Sequence, residues 1–584
     1  MKKTSILIQA RDAESAVERL CALGVVHVEH HRTPSSKDTA SITDDIGLVN
    51  QAMTALSTVG ESRTAPITAS EELSDWKAAA HHIVDSFKRI EKLKEASASL
   101  AGTISRWEEW GNFEPADIEQ LAERSVYMRL YSIPTKQLGN LPSSVIIKRI
   151  STSRGITNCA VISREKTDIP FKEVPLPAQS LRSTQAELDE NRKTIDAITE
   201  NLRGYRRFTD SLKRISSTLG KHLRFRQARA GMGRAGEIAY LTGYLPTEKT
   251  DDLLKVAAQQ QWGVTVDDPG EDDRVPTLIR SPRWVSIINP VFKLIDVVPG
   301  YRELDISLWF LLFLSVFFGM LIADAGYGLI ILILAFFAHM KWKKKVASSA
   351  GFILLYVFAL CAMAWGVLTA TFFGQEWLPR TVQPLLPALR DNTSVQTLCF
   401  FIGALHLSVA HLWRAILKLP SLAALSDLGW VSILWGVFFL ARTLVLGEPF
   451  PSFAQWLLIG GIGAVLFLTS PTKNVLVGVG RGLGSLGLNL VNSFTDVVSY
   501  IRLFAVGLAT VAIADAFNKM ALSFGYGTVV AGLVTTLILL VGHTLNIILG
   551  PMSVLVHGVR LNVLEFCNHV DVKWSGFRYD PLKK

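Results

Sequence analysis

The residues best placed to do chemistry are polar ones set in apolar sequence. In SYIRLFAVGLA (499–509) a single arginine, Arg502, stands in a stretch apolar enough for a membrane helix. A guanidinium does not deprotonate inside a protein. An arginine at the centre of a bilayer costs about 2.5–3.5 kcal/mol on insertion scales. Asn489, Asn492, Thr495, Ser499 and Arg502 follow at steps of 3, 3, 4 and 3, which is one helix face. Beyond Arg502 that face continues as Val506, Ala509 and Ile513, with small Ala505 and Gly507 nearby, while Asp496 and Asp515 fall off it. A second stripe, His543, Asn546, Ser553, His557 and Arg560, has steps of 3, 7, 4 and 3 and ends near Glu565. Two arrangements fit such stripes. One is a structural salt bridge between Arg502 and Asp324, Asp427 or Glu565. The other is a polar crevice for ions, guarded by a fixed cation.

These stripes require membrane helices to hold them. A span takes about 20 apolar residues. Candidates lie near 307–323, 326–340, 347–373, 396–418, 428–445, 454–470, 486–518 and 527–566. The first two form one run interrupted by ADAGYG (323–328) and followed by the basic KWKKK (341–345). Basic clusters stay on the cytoplasmic side, so this run is expected to cross twice. Its roughly 34 residues would reach only ~51 Å as one helix, so both crossings should be short, tilted or bent at the break. A buried Asp324 would make that break tolerable. Eight crossings follow. The 374–395 loop and GEPFPS (447–452) lie outside; Arg414, Lys418, PTKN (471–474), Arg481 and the basic tail lie inside.

Residues 1–300 are charged and mixed in character, in contrast to 301–584. The start MKKTSILIQARD has an apolar stretch of about five residues, short of the roughly 7–15 of a signal peptide. The first 300 residues are therefore expected in the cytoplasm. Residues 4–30 read strand, helix, strand, and 237–267 read as a second α/β region. Between them, 73–104 (Leu73, Trp76, Ala80, Ile83, Phe87, Ile90) and 181–219 (Leu181, Leu188, Ile195, Ile198, Leu202, Leu212, Ile215, Leu219) carry narrow apolar seams. Such seams predict two long helices in an antiparallel coiled coil. Strand-like runs fill 115–175. The expected fold is an elongated α+β domain with a helical strut, followed by an α-helical polytopic membrane domain.

Several activities lack their motifs. There is no GxxxxGK[ST] sequence for nucleotide phosphates. GLGSLG (482–487) matches GxGxxG but has no preceding strand, and is read as a loop between membrane segments. The five cysteines (Cys21, Cys159, Cys361, Cys399, Cys567) include no CxxC pair, so reduced thiols are expected and no zinc site. The net charge of +9 fits basic anchoring at a membrane face rather than nucleic-acid binding.

Blocks of sequence throughout the chain resemble a known family. YRELD (301–305), FFGMLIADAGYG (317–328), WGVLTATFFG (365–374), SYIRLFAVGLA (499–509) and VHGVRLNVLEF (556–566) are similar to the membrane stator subunit of V/A-type rotary ATPases, called subunit a or I, in its compact prokaryotic form. The resemblance implies a non-catalytic, multi-pass subunit of the cell membrane with both termini cytoplasmic. Implied partners are a proteolipid c-ring, peripheral stalk subunits, a central-stalk-associated membrane subunit, the catalytic head and membrane lipid. ATP and Mg would bind in partner subunits, with no cofactor in this chain, and H+ or Na+ would be translocated through two half-channels. Arg502 matches the family's essential arginine, the ring carboxylate's partner and leak barrier. Arg560 and His557 match its second arginine and neighbouring histidine. Asn489, Asn492, Thr495, Asp496, Ser499, His543, Asn546, Ser553, Glu565 and Asp324 are candidate path residues. Thr510 and Gly550 stand where eukaryotic members carry a histidine and a glutamate. Other classes would be a secondary transporter with a regulatory domain, which should act alone, or a purely structural anchor, in which Arg502 is dispensable.

Overall fold

The computed structural model describes all residues except 31–33, 35, 60–74, 141, 143–144, 154, 166–168, 345, 347, 375–383, 469–474 and 584. Contacts divide the chain into two units, Met1–Asp268 with Pro581–Lys584, and Pro269–Asp580.

The first unit runs β1 (Lys2–Gln9), α1 (Ala13–Leu23), β2 (His27–Glu29), α2 (Lys37–Thr58), α3 (Trp76–Trp107), α4 (Pro115–Glu123), β3 (Tyr127–Pro134), β4 (Ile146–Ser153), β5 (Ile156–Ser163), β6 (Glu173–Val174), α5 (Leu181–Tyr205), α6 (Thr209–Ala230), β7 (Gly233–Ala235), β8 (Ile238–Leu245), α7 (Thr250–Gln260) and β9 (Gly263–Asp267). Alternation in β1 buries Ile6 and Ile8 and leaves Leu7 exposed, as one buried sheet face requires. β1 lies between β8 and β9, antiparallel to both, with Ile6 opposite Leu241 and Val264. The regions read separately at 4–30 and 237–267 are therefore one sheet, of order β2-β8-β1-β9 with β7 on β8. The second sheet, β4-β5-β3-β6, takes the 115–175 runs.

Helices join the two sheets. Trp107 at the end of α3 shares a core with Leu181 at the start of α5, while Ala80 and Ile83 share another with Leu202. The two helices thus run antiparallel, as the seams predicted. The 181–219 run is not one helix, however. It breaks at Arg206–Phe208 into α5 and α6. α6 packs on α2, a helix with no narrow seam in its sequence to announce it. Leu73 lies outside the described residues.

The second unit runs α8 (Asn289–Leu294), α9 (Ser307–Ile322), α10 (Ala325–Trp342), α11 (Ala350–Thr369), α12 (Asn392–Lys418), α13 (Ala423–Leu446), α14 (Ser452–Leu468), α15 (Val475–Ser499), α16 (Ile501–Phe524) and α17 (Val529–Ser553). Two π-helical turns, Val554–Gly558 and Leu561–Phe566, lead to α18 (Cys567–Val570). Among the described residues, six of the eight expected crossings are long and apolar enough to span a bilayer: α10, α11, α12, α13, the run Leu486–Phe524 and the run Val529–Val570. α9 is apolar but 16 residues long, and α14 is apolar over 17 described residues. At 1.5 Å per residue each reaches about 25 Å, against a hydrocarbon core of about 30 Å. GLGSLG lies within helical backbone and not in a loop, and its Leu486 is buried in the core of the membrane unit. PTKN lies outside the described residues.

The break at ADAGYG is a reversal built on Asp324. Ala323 closes α9 in the left-handed conformation, and Asp324 caps α10. Glycine lets the returning helices approach: a Cβ on Gly366 of α11 would stand 2.0 Å from the Ala325 backbone nitrogen. Such small residues set close helix contact where no hydrophobic force separates protein from lipid.

Candidate functional site

The polar stripe leading to Arg502 is present, but it spans two helices. α15 ends at Ser499 and α16 begins at Ile501. Around the fully buried Tyr500 the ladder tightens, with Tyr500 N–H donating to Val497 (3.3 Å) and Leu503 N–H to Tyr500 (3.0 Å). The crossing expected over 486–518 continues through this point as the run Leu486–Phe524. Tyr500 is drawn inward by its hydroxyl's 2.8 Å contact with His406 Nδ1. Asn489, Asn492 and Thr495 remain exposed and lead to half-buried Ser499 and Arg502. Beyond them Ala505 and Ala509 are exposed. Gly507 points inward instead: a Cβ there would lie 2.4 Å from the Met320 carbonyl oxygen, so it lets α16 pack on α9.

Arg502 is partnered inside the chain, though loosely. Its Nη2 donates to Ser499 Oγ at 3.3 Å. Its Nη1 stands 3.7 Å from Glu565 Oε1, and Arg560 Nε stands 3.6 Å from the same oxygen. Both separations exceed ordinary hydrogen-bond length. Glu565 is nearly enclosed, at 4% side-chain exposure, whereas Arg502 keeps 27% and Arg560 51%. Half-buried His557 lies within electrostatic range of both arginines. The π turns explain this grouping. On an unbroken α-helix, residues five apart point about 140° from one another. A π turn closes i to i+5 and stacks Arg560 over Glu565.

The remaining candidates fall into three places. Asp324 is fully buried, with Oδ1 accepting from Gly326 N–H (2.8 Å) and Tyr327 N–H (3.1 Å), and Oδ2 from Gly374 N–H (3.0 Å). Both oxygens serve the turn and the cap. His543 and Asn546 meet at Tyr327, whose hydroxyl lies 2.8 Å from His543 Nδ1 and accepts from Asn546 Nδ2 at 3.1 Å. Asn546 also donates to the Thr510 carbonyl (2.9 Å). Ser553 ends α17, half-buried. Asp496 joins a group the sequence did not assemble: its Oδ2 lies 3.1 Å from His569 Nε2, and His569 Nδ1 lies 2.9 Å from His411 Nε2. His411, Arg414 and Lys418 share one face at steps of 3 and 4, a signal that was available; nothing near His569 pointed to it.

A cavity of about 220 Å³ runs along the inner side of α16, lined by Leu503, Gly507 and Asp515 together with Ala323, Thr369 and Asn392. From Leu503 to Asp515 the helix rises ~18 Å, more than half the hydrocarbon thickness. One end of the cavity lies at Leu503, the residue after Arg502 in sequence, and the other at Asp515.

No protein-family model matches the chain. Among curated relatives, the V-type ATP synthase subunit I 1 of Treponema pallidum (strain Nichols) is 29% identical, with 100% of this chain and 99% of that protein covered. The V-type ATP synthase subunit I of Borreliella burgdorferi is 28% identical, with coverage of 100% and 99%. The A-type ATP synthase subunit I of Methanocaldococcus jannaschii is 25% identical over 70% of this chain and 64% of that one.

Proposed function

We propose, from the premise that the chain belongs to the prokaryotic V/A-type ATP synthase subunit I family, that it is the membrane stator of a rotary ATPase and that Arg502 is its working residue. The observation that carries this is the state of Arg502. It is a permanent cation, partly exposed at the end of an exposed polar stripe, whose only acidic neighbour among the described residues stands 3.7 Å away. A tight buried pair would resist separation. A loose one leaves the guanidinium able to face a carboxylate on a passing ring subunit, favouring that group's ionised form. Exposed Ala505 and Ala509 let a ring helix pass closely. The same charge repels cations that would otherwise leak across.

The cavity beside α16 is the proposed outer half-channel, and the stripe Asn489–Asn492–Thr495–Ser499 is the inner approach. Basic Arg414, Lys418 and the tail orient both termini to the cytoplasm. The proposed partners are the proteolipid ring, stalk subunits and, through them, the nucleotide-binding head. A lone transporter is not favoured by relatives that match the chain from end to end and are named as synthase subunits. The test is reconstitution of the complex with Arg502→Ala. Assembly is expected to survive and ATP-driven ion transport to vanish. Transport at the parental rate overturns the assignment and leaves a structural anchor.

A further inference from the structure

Two stretches of the membrane unit, 280–295 and 338–346, contain no Asp or Glu. The first supplies Arg283 and Lys293, the second Lys341, Lys343 and Lys344, and all of these residues are exposed. Packing brings the stretches together. Pro290 of α8 lies against Gly351 in the first turn of α11, where a Cβ would stand 3.9 Å from the proline ring. The next residue, Phe352, stacks on His339 in the last turn of α10, with ring centroids 4.7 Å apart. His339 Nδ1 also lies 2.9 Å from the Tyr356 hydroxyl. α8 and the end of α10 thus meet the same end of α11. No described carboxylate lies within ion-pair distance of Arg283, Lys293, Lys341, Lys343 or Lys344.

The apolar residues here are divided between inside and outside. Val285, Ile288, Val291 and Phe292 are buried, and Phe292 packs edge-on against Phe310 of α9 at 4.9 Å. These contacts fix the segment to the helices. Trp284 and Leu294, which flank the buried residues, are left 62% and 67% exposed, and Trp342 among the lysines 47%. A fixed segment that turns large apolar side chains outward beside cations suits the headgroup layer of a bilayer. An indole sits there with its ring in oil and its N–H in water. A lysine lays its stem along lipid and its charge on phosphate.

We infer that Arg283, Trp284, Lys293, Lys341, Lys343 and Lys344 form a docking surface for the headgroups of anionic phospholipids. Charge complementarity selects this occupant. The cations are not balanced by described carboxylates of the chain, and they stand at the end of two helices long and apolar enough to span a bilayer, where lipid phosphates supply the opposite charge. A soluble acidic segment would meet the cations but leave the outward Trp284, Leu294 and Trp342 without an apolar neighbour. The surface also explains why α8 is pinned so closely to α11: it holds the two basic stretches at one level, as a layer of headgroups requires. The inference needs only that α10 and α11 cross the membrane, and it does not depend on the role of Arg502.

The test offers the full-length protein, in detergent, equal amounts of phosphatidylglycerol and phosphatidylcholine, and counts the lipids retained after washing by native mass spectrometry. The unmodified protein is expected to retain phosphatidylglycerol in excess, and the excess should vanish in about 1 M sodium chloride, where charges are screened within a few ångströms. A basic side chain near an anionic surface is worth about fivefold in binding. The combined variant Lys341→Gln, Lys343→Gln, Lys344→Gln should therefore lower the ratio of the two lipids by at least about fivefold, and Arg283→Gln with Lys293→Gln should do the same. Replacing the three lysines by arginine should keep the ratio, which separates loss of charge from loss of fold. Equal retention of both lipids by the unmodified protein overturns the proposal without any variant. An excess that survives both sets of glutamine substitutions also overturns it, by assigning the lipid to other basic residues. Displacement of phosphatidylglycerol by an equal concentration of a soluble glutamate-rich peptide overturns it in favour of an acidic protein partner.

Discussion

Arg502 and Glu565 approach to 3.7 Å across two helical segments without closing a hydrogen bond. Arg560 shares the same Glu565 oxygen at 3.6 Å. One carboxylate thus balances two guanidinium groups, and neither arginine is locked. Glu565→Gln should leave both cations unbalanced, so that Arg502 holds a ring carboxylate too firmly. The expected result is assembled complex with ATP-driven transport slowed about tenfold, equivalent to about 1.4 kcal/mol on the barrier. Initial transport rates in vesicles measure it, and an unchanged rate removes Glu565 from the site.

Asp324 serves the fold rather than the ion path, because three backbone N–H groups occupy its two oxygens. Asp324→Ala removes an N-cap, worth about 0.5–2 kcal/mol, and leaves those donors buried without a partner at about 1–3 kcal/mol more. Thermal unfolding of the detergent-solubilised protein should show a clear loss of stability. Asp324→Asn, which keeps an accepting oxygen, should retain most of the stability and transport. Loss of transport in a stable Asp324→Asn protein would return Asp324 to the path.

The cavity beside α16 should hold water when the complex is assembled. Ala512 and Thr369 both line it. A cysteine at either position, in a background where Cys361 and Cys399 are serine, should react with a charged, membrane-impermeant thiol reagent added outside. A cysteine at Leu537, whose side chain is exposed on α17, should react far more slowly if that face meets lipid. Equal inertness at Ala512 and Leu537 would show the cavity to be dry.

Cys159 on β5 is completely buried, its thiol directed at the Tyr131 carbonyl at 3.6 Å. Burial raises its pKa above the ordinary thiol value. A raised pKa leaves less thiolate at neutral pH, and thiolate is the reactive form. Iodoacetamide at pH 7.5 should therefore leave Cys159 unmodified in the folded protein and alkylate it after denaturation, as read by peptide mass. Rapid alkylation in the native state would mean that the β4-β5-β3-β6 sheet opens.

Much of this molecule is written locally. Residue type at i, i+3 and i+4 decides which face of a helix is polar, so the run from Asn489 to Arg502 could be drawn before any packing was known. Length and hydropathy marked the membrane segments for the same reason. The short spacing around ADAGYG foretold a cramped double crossing, and the residue that builds the turn, Asp324, was visible in it.

Other features depend on contacts that no local pattern encodes. β1 meets β8 more than two hundred residues later, with Ile6 opposite Leu241, and alternation alone cannot name a partner strand. The break at Tyr500 arises from a hydroxyl reaching His406 on another helix. The π turns that stack Arg560 over Glu565 are a helix's answer to its surroundings, not to its own residues. His411 and His569, 158 positions apart, came together only through packing. Apolar helix faces are chemically alike, and which of them pair is decided by shape and by the few buried polar groups that must find partners. The sequence by itself determined that a cation would stand on a polar stripe in a membrane segment. The tertiary structure decided that this cation is loosely held, beside a carboxylate that a second arginine shares.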